Sequence, residues 1–109
     1  MNMAAEVRNM LAVAKVMYID RPNVLQLIRC SSSVAANYRA ATRSRSDAEF
    51  FSKICIVVEE TDETLFWLEY MITIRVLDAH KTENLRQDIE KLIRLFSSIK
   101  QKMKTKLRK

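Results

Sequence analysis

A cluster of carboxylates, Glu59, Glu60, Asp62 and Glu63, is the densest group of chemically capable side chains in this sequence. Glu59 and Glu63 are four residues apart and would share one face of a helix. Paired carboxylates can perform acid–base catalysis or bind a metal ion. The Glu-x-x-His motif of di-iron bundles is absent, however, because the single histidine, His80, lies well away. We therefore expect a structural role for the cluster, with no catalytic residue, metal or cofactor.

Three arginines in the second quarter of the chain could pair with these carboxylates or bind phosphate. Arg39 and Arg43 are four residues apart, and a guanidinium makes two parallel hydrogen bonds equally well to a carboxylate or a phosphate. We expect Arg39 and Arg43 to pair with the acidic cluster on a packed helix. Together with Arg45 they are also candidates for nucleic-acid contact, so the prediction for the three is a mixed role.

The end of the sequence carries the strongest candidate for a functional surface, a run of cations made of Lys100, Lys102, Lys104, Lys106, Arg108 and Lys109. A spacing of two distributes these charges around a helix, and their mutual repulsion is expected to fray its end. A frayed basic arm would bind phosphate with steep salt dependence, because each neutralised phosphate releases counterions. The alternative is a solvated helix end whose cations suit the negative end of the helix dipole.

The composition favours a small helical protein with one domain. The 109 residues include no glycine and one proline, whereas hairpin turns, phosphate-cradling loops and nucleophile elbows depend on glycine. A strand interpretation of the runs 56–58 and 72–76 is disfavoured for the same reason. Cys30 and Cys55 form no redox or metal motif and are expected to be small buried hydrophobes. No signal peptide and no apolar run of about 20 residues is visible, so we expect a cytoplasmic protein.

Apolar residues recur at spacings of three and four, which predicts four helices at about residues 4–18, 22–44, 47–77 and 83–105. Met17 and Tyr18 continue the apolar stripe of the first helix. Pro22 suits the first turn of the second helix, and Ser46 with Glu49 has the form of a capping box for the third. Thr82 is a plausible N-cap of the fourth. The predicted fold is an antiparallel up-down four-helix bundle.

The third predicted helix is apolar on more than one face and needs burial on two sides. Trp67 and Tyr70 could stack on nucleic-acid bases, but among apolar neighbours they more often belong to a core or a subunit interface. We therefore predict self-association through a surface that consists of Phe51, Cys55, Phe66, Trp67, Tyr70 and Met71.

The stretch from Arg29 to Tyr70 resembles a family of small bacterial four-helix bundle proteins, the 23S ribosomal RNA intervening-sequence proteins. The resemblance is carried by SSSVAANYRAA at 31–41, by RSRS at 43–46, and by EETDET at 59–64 with WLE at 67–69. It implies a homo-oligomeric ring, commonly a homopentamer, with a basic surface suited to nucleic acid, and we expect structured RNA as the ligand. Some relatives are similar to accessory proteins that partner reverse transcriptases in diversity-generating retroelements. The resemblance implies no enzymatic activity, so the expected function is binding of nucleic acid or, alternatively, of a protein partner.

Overall fold

The computed structural model describes residues 2–14 and 16–108 of the chain. Helix α1 spans Asn2–Val13, α2 spans Arg21–Thr42, α3 spans Asp47–Thr73 and α4 spans Ala79–Leu107, and one 3₁₀ turn at Tyr18–Asp20 precedes α2. No strand occurs among the described residues. The predicted all-α bundle is confirmed.

Helix α3 packs along α2 on one side and along α4 on the other, while α1 packs on α2 and α4. Short connections make α2, α3 and α4 successively antiparallel, so α2 and α4 run in the same direction. Every helix contributes side chains to the core, because the apolar stripes all face the bundle axis. The most deeply buried of these are Val7, Leu27, Val34, Ile54, Val57, Leu68, Met71, Ile89 and Phe96.

Helix α1 is much shorter than its neighbours. Its 12 residues span about 18 Å, whereas the molecule is 51 Å long. Met10 and Ala14 line a cavity of about 230 Å³ together with Val76 and Leu77, which places the end of α1 beside the connection between α3 and α4. Toward the C-terminal ends of α2 and α4, therefore, no helix of the described residues covers the groove between these two helices.

The first helix ends earlier than predicted, and its last two predicted core residues are exposed. Met17 and Tyr18 expose 73% and 82% of their surface. The chain must reverse direction before α2, and the 3₁₀ turn that does so points Tyr18 into solvent, where the Arg21 guanidinium lies 5.4 Å from its ring centroid. Pro22 occupies the first turn of α2 as predicted.

The start of α3 agrees with the predicted cap, and its end is shorter than predicted. The Ser46 hydroxyl accepts a hydrogen bond from the Glu49 amide at 3.1 Å. At the other end, Val76 N–H donates to the Met71 carbonyl and Arg75 N–H to the Ile72 carbonyl, the two bonds of a Schellman motif. This motif ends α3 at Thr73 and not at residue 77.

The prediction that Thr82 caps α4 is wrong. Asp78 is the N-cap, since its Oδ1 accepts from the Lys81 amide at 3.0 Å. Thr82 lies one turn inside the helix, buried, and its hydroxyl donates to the Asp78 carbonyl. Aspartate is at least as good a cap as threonine, so the better cap four residues earlier starts the helix. None of the helices in the described ranges is long and apolar enough to cross a bilayer.

Candidate nucleic-acid interface

The two basic segments of the sequence meet at one end of the bundle. Because α2 and α4 are parallel, both deliver their C-terminal turns to the end where α3 begins. The contact between Lys106 and Asp47, 3.0 Å from Nζ to Oδ2, joins the last turns of α4 to the first turn of α3. Tyr38 of α2 and Phe96 of α4 lie at the same level, with ring centroids 5.6 Å apart. We call residues 36–57 and 96–108 the basic end.

Charge is strongly segregated along the molecule. The basic end holds nine lysines and arginines against two carboxylates, a net charge of +7. The remaining described residues hold eight basic and eleven acidic side chains, a net charge of −3. A concentration of one sign at one end produces a potential that attracts a polyanion to that end.

The structure brings nearly all the predicted nucleic-acid-binding residues onto the basic end. Arg39 lies in the last full turn of α2, Arg43 is its C-cap residue, and Arg45 lies in the connection to α3. The exposed members are Arg39, Arg43, Arg45, Lys102, Lys104, Lys106 and Arg108, and Lys100 is half-buried. Lys109 lies outside the described residues.

The predicted fraying of the C-terminal run is wrong, since α4 remains helical to Leu107. Two features oppose the repulsion between its lysines. Lys104 and Lys106 lie in the last turn, where cations interact favourably with the helix dipole, and Lys106 also pairs with Asp47. The cations therefore project from a regular helix, which fixes the spacing between them.

The acidic cluster pairs with Arg29 and not with the predicted Arg39 and Arg43. Arg29 Nη2 lies 2.7 Å from Glu63 Oε1, and Arg29 Nη1 lies 3.4 Å from Glu60 Oε1. The antiparallel register of α2 and α3 explains the difference, because it places the cluster beside the first half of α2. The last turns of α2, which carry the predicted arginines, lie beside the start of α3.

The ion pair with Arg29 favours the ionised form of Glu63. Partial burial acts to raise the pKa of Glu63, but hydrogen bonds from Arg29 and from the Trp67 indole outweigh it, so the pKa of Glu63 is lowered. The hydrogen bond with Glu63 in turn raises the pKa of Arg29. Within the described residues no group of histidine, cysteine and carboxylate side chains could hold a metal ion.

Two further groups with altered titration lie away from the basic end and take part in local structure. Burial raises the pKa of the Cys30 thiol, which keeps the sulfur protonated and unreactive. Hydrogen bonds with Glu83, and then with Glu90, raise the pKa of the Arg86 guanidinium. Arg86 is therefore committed to carboxylates of its own helix.

The predicted oligomer surface separates into exposed and buried parts. Phe66 and Tyr70 are exposed by 56% and 39%, and their rings stack with centroids 6.0 Å apart. Trp67 packs edge-on against both rings. Met71 is fully buried inside the bundle, so its assignment to the interface is wrong. Phe51 and Cys55 are half-buried on α3.

Sequence reasoning missed two residues of the basic end. Lys53 of α3 adds a cation that is separated in sequence from both basic segments, and only the antiparallel pairing of helices brings it near them. Tyr38 lies at helical spacing from the apolar residues Val34 and Ala41 of α2, a position that favours the core, yet it is 37% exposed. The helical spacing correctly placed Tyr38 on the side of α2 that faces the bundle axis. Whether that side is covered depends on the length of α1, which the sequence did not clearly indicate.

Comparisons with known proteins identify relatives of the same architecture. A family model described as 23S rRNA-intervening sequence protein matches residues 18–98, from the 3₁₀ turn to the middle of α4. A crystal structure of a protein of unknown function of the S23 ribosomal protein family, from Bacteroides thetaiotaomicron VPI-5482, is 25% identical in sequence. It superposes with a TM-score of 0.78 over 91% of this chain and 92% of that chain. No curated protein sequence matches the chain.

Proposed function

The chain belongs to the 23S rRNA-intervening sequence protein family, and on that premise we propose that it is a non-enzymatic protein that binds nucleic acid through its basic end. Structured RNA is the preferred ligand. Copies of the chain assemble into a ring, with five subunits as the expected number, and each copy presents one basic end. Binding depends on backbone charge and shape, with little reading of base sequence.

The observation that carries this proposal is the convergence of Arg39, Arg43 and Arg45 with the lysines of α4 at one end. Arg45 and Lys100 are 55 residues apart in sequence, yet both belong to one surface of net charge +7. Of the cations on that surface, only Lys106 forms an ion pair among the described residues. The remaining charges therefore have no internal partner there and are available for phosphate.

Assembly would multiply this charge. The exposed aromatic pair Phe66 and Tyr70 lies on the outer face of α3, and Leu25, 63% exposed, lies one turn from the Arg29 to Glu63 ion pair on α2. Exposed rings of this size next to one another are typical of a subunit interface. Five copies of a chain with net charge +6 would together carry +30. Many weak phosphate contacts would then act at once.

A filter-binding titration tests the proposal, with a structured RNA and a duplex DNA of equal length measured from about 50 to 200 mM salt. The expected result is tight binding at low salt that weakens by about a thousandfold or more across that range, as for a protein with several phosphate contacts. Absent binding at low salt, or binding that does not change with salt, would overturn it.

A second candidate function is that of a scaffold or accessory subunit for a protein partner, such as the reverse transcriptase of a diversity-generating retroelement. The observation that favours it is the exposed apolar segment Met17, Tyr18 and Ile19, each at least 73% exposed, at the end opposite the basic end. Co-purification after nuclease treatment separates the two, because a direct protein contact survives it. The gene's surroundings provide an independent indication: a ribosomal RNA gene favours the first candidate and a reverse transcriptase gene the second.

A further inference from the structure

At the basic end, no helix of the described residues covers the groove between α2 and α4. Tyr38 lies on the same face of α2 as Val34 and Ala41, which are 0% and 1% exposed. Tyr38 itself is 37% exposed, because α1 ends its contact with this groove before the level of Tyr38. The result is an aromatic side chain on the inward face of α2 that keeps 37% of its surface in contact with solvent.

The Tyr38 ring is held firmly from behind. Its centroid lies 5.6 Å from that of Phe96, with the ring planes 44° apart, and Phe96 is 2% exposed. Such a tilted aromatic contact contributes to the stability of both rings. Tyr38 is therefore supported by the core on one side, and its exposed surface is available for contact with a planar ligand.

Cations and a cleft continue the groove toward the tip of the basic end. Lys100 and Lys104 follow Phe96 by four and eight residues and so share its face of α4. One turn beyond Tyr38, Thr42 lines a cleft of about 330 Å³ that also contains the side chains of Arg45, Asp47, Phe50 and Met103. This volume is at the lower end of the range of small-ligand sites. It is ample for one planar base.

We propose that the groove from Tyr38 to this cleft binds unpaired nucleotides, with one base stacked on Tyr38 and the adjacent phosphates on Lys100, Lys104 and Arg45. The inference rests on the proposed function and specifies the part of the RNA that the site takes. Only an unpaired nucleotide exposes a base face to a side chain, and stacking on an aromatic ring tolerates every base. The basic end of a second copy is a poor occupant, because two surfaces of net charge +7 would repel each other.

Three RNAs of equal charge test the inference on the full-length protein by fluorescence anisotropy. The first is a blunt hairpin with a lengthened stem, the second has a four-nucleotide single-stranded extension, and the third carries the same extension without bases. We expect the extension with bases to bind about tenfold tighter than either of the others, in the range measured for stacking of a base on one side chain. The Tyr38→Leu variant should lose this tenfold preference, whereas Tyr38→Phe should keep it.

The outcomes separate the inference from the proposed function. Equal binding of the extension with and without bases, or a preference that survives Tyr38→Leu, would overturn the inference that the groove binds unpaired nucleotides. Salt-dependent binding of the hairpin would in that case still support the proposed function. A change of subunit number in Tyr38→Leu at unchanged helical content would mean that the groove is an interface between copies, which also overturns it. Absence of binding to all three RNAs at low salt would remove the proposed function and the groove together.

Discussion

Lys106 Nζ lies 3.0 Å from Asp47 Oδ2, so the last turns of α4 rest on the first turn of α3. The pair is exposed, by 63% at the lysine and 50% at the aspartate, and exposed ion pairs of this kind contribute little to stability. Its importance is geometric. It joins the C-terminal cations to the connection between α2 and α3, where Arg43 and Arg45 lie, and thereby produces a single basic surface.

Replacing Lys102 and Lys104 by glutamine should weaken RNA binding and lower its salt dependence. Both side chains are exposed on α4, and each lost phosphate contact lowers the slope of log affinity against log salt by about one. A salt titration of the double variant should therefore give a slope smaller by about two.

The matched control for these two lysines is the pair Lys81→Gln and Lys91→Gln. These lysines are exposed on the same helix but lie outside the basic end, and the control removes the same total charge. Its slope should equal that of the unaltered protein. If the two double variants lose affinity to the same extent, net charge governs binding and the position of the cations does not.

Replacing Arg75 by glycine should stabilise the protein. Arg75 is the residue after the C-cap of α3 and has φ of 64°, the left-handed conformation in which a Cβ costs energy and glycine is the usual residue. Arg75→Gly should raise the free energy of unfolding by about 1 kcal/mol in urea denaturation at fixed protein concentration.

The control for this variant is Arg75→Ala, which removes the charge and keeps the Cβ. It should show no comparable gain. Equal stabilisation by alanine and glycine would attribute the effect to loss of the guanidinium and would contradict the backbone explanation.

Local signals in the sequence predicted the elements whose causes are local. The Ser46 cap and the position of Pro22 follow from side-chain chemistry within one helical turn, and the structure confirms both. Two predictions also concerned local features and were wrong. Thr82 was predicted as the cap of α4, but the stronger cap, Asp78, lies four residues earlier. Tyr18 was predicted to belong to the first helix, because the apolar spacing continues past the point where the chain turns.

Most members of the candidate site were predictable from the sequence, apart from Lys53 and Tyr38, but their arrangement was not. The basic runs are visible in the sequence, but their convergence depends on which helix ends lie together. The pairing of Arg29 with Glu63, in place of Arg39, depends on the same long-range register. The exposure of Tyr38 depends on the length of a different helix. Which helix ends meet, which charges pair and which side chains are covered all depend on packing between helices. The spacing of residues within one helix does not predict them.

Replacing Asp78 by asparagine should remove one source of acid sensitivity. The hydrogen bond from the Lys81 amide lowers the pKa of Asp78 below its ordinary value of 3.8. A carboxyl group with a lowered folded-state pKa stabilises the fold above the ordinary value, and this contribution is lost as the pH falls through the lowered one. Asparagine caps a helix comparably well but does not titrate in this range.

Thermal unfolding measured from pH 7 down to about pH 2 checks this prediction. Asp78→Asn should have nearly the melting temperature of the unaltered protein under the most acidic conditions and a shallower rise in melting temperature through pH 4. Asp78→Ala, which removes the cap altogether, should be less stable throughout. Parallel pH curves for the unaltered protein and Asp78→Asn would show that the carboxylate does not contribute through its charge.

Replacing Phe66 and Tyr70 by glutamate should disperse the assembly into single chains. Their rings are stacked on the outer face of α3 and neither residue belongs to the buried core, so the helical content should stay unchanged. Two carboxylates placed in an apolar contact between subunits would have to lose their hydration without a partner, which strongly disfavours association. Leu95→Glu with Leu107→Glu is the matched control, since these leucines are 53% and 43% exposed and lie on α4, not on the α3 face that carries the aromatic pair. Native mass spectrometry at micromolar concentration should show a ring for the unaltered protein and the control, and single chains for the aromatic variant. An unaltered protein that is already a stable single chain under these conditions would remove the case for a multivalent basic surface.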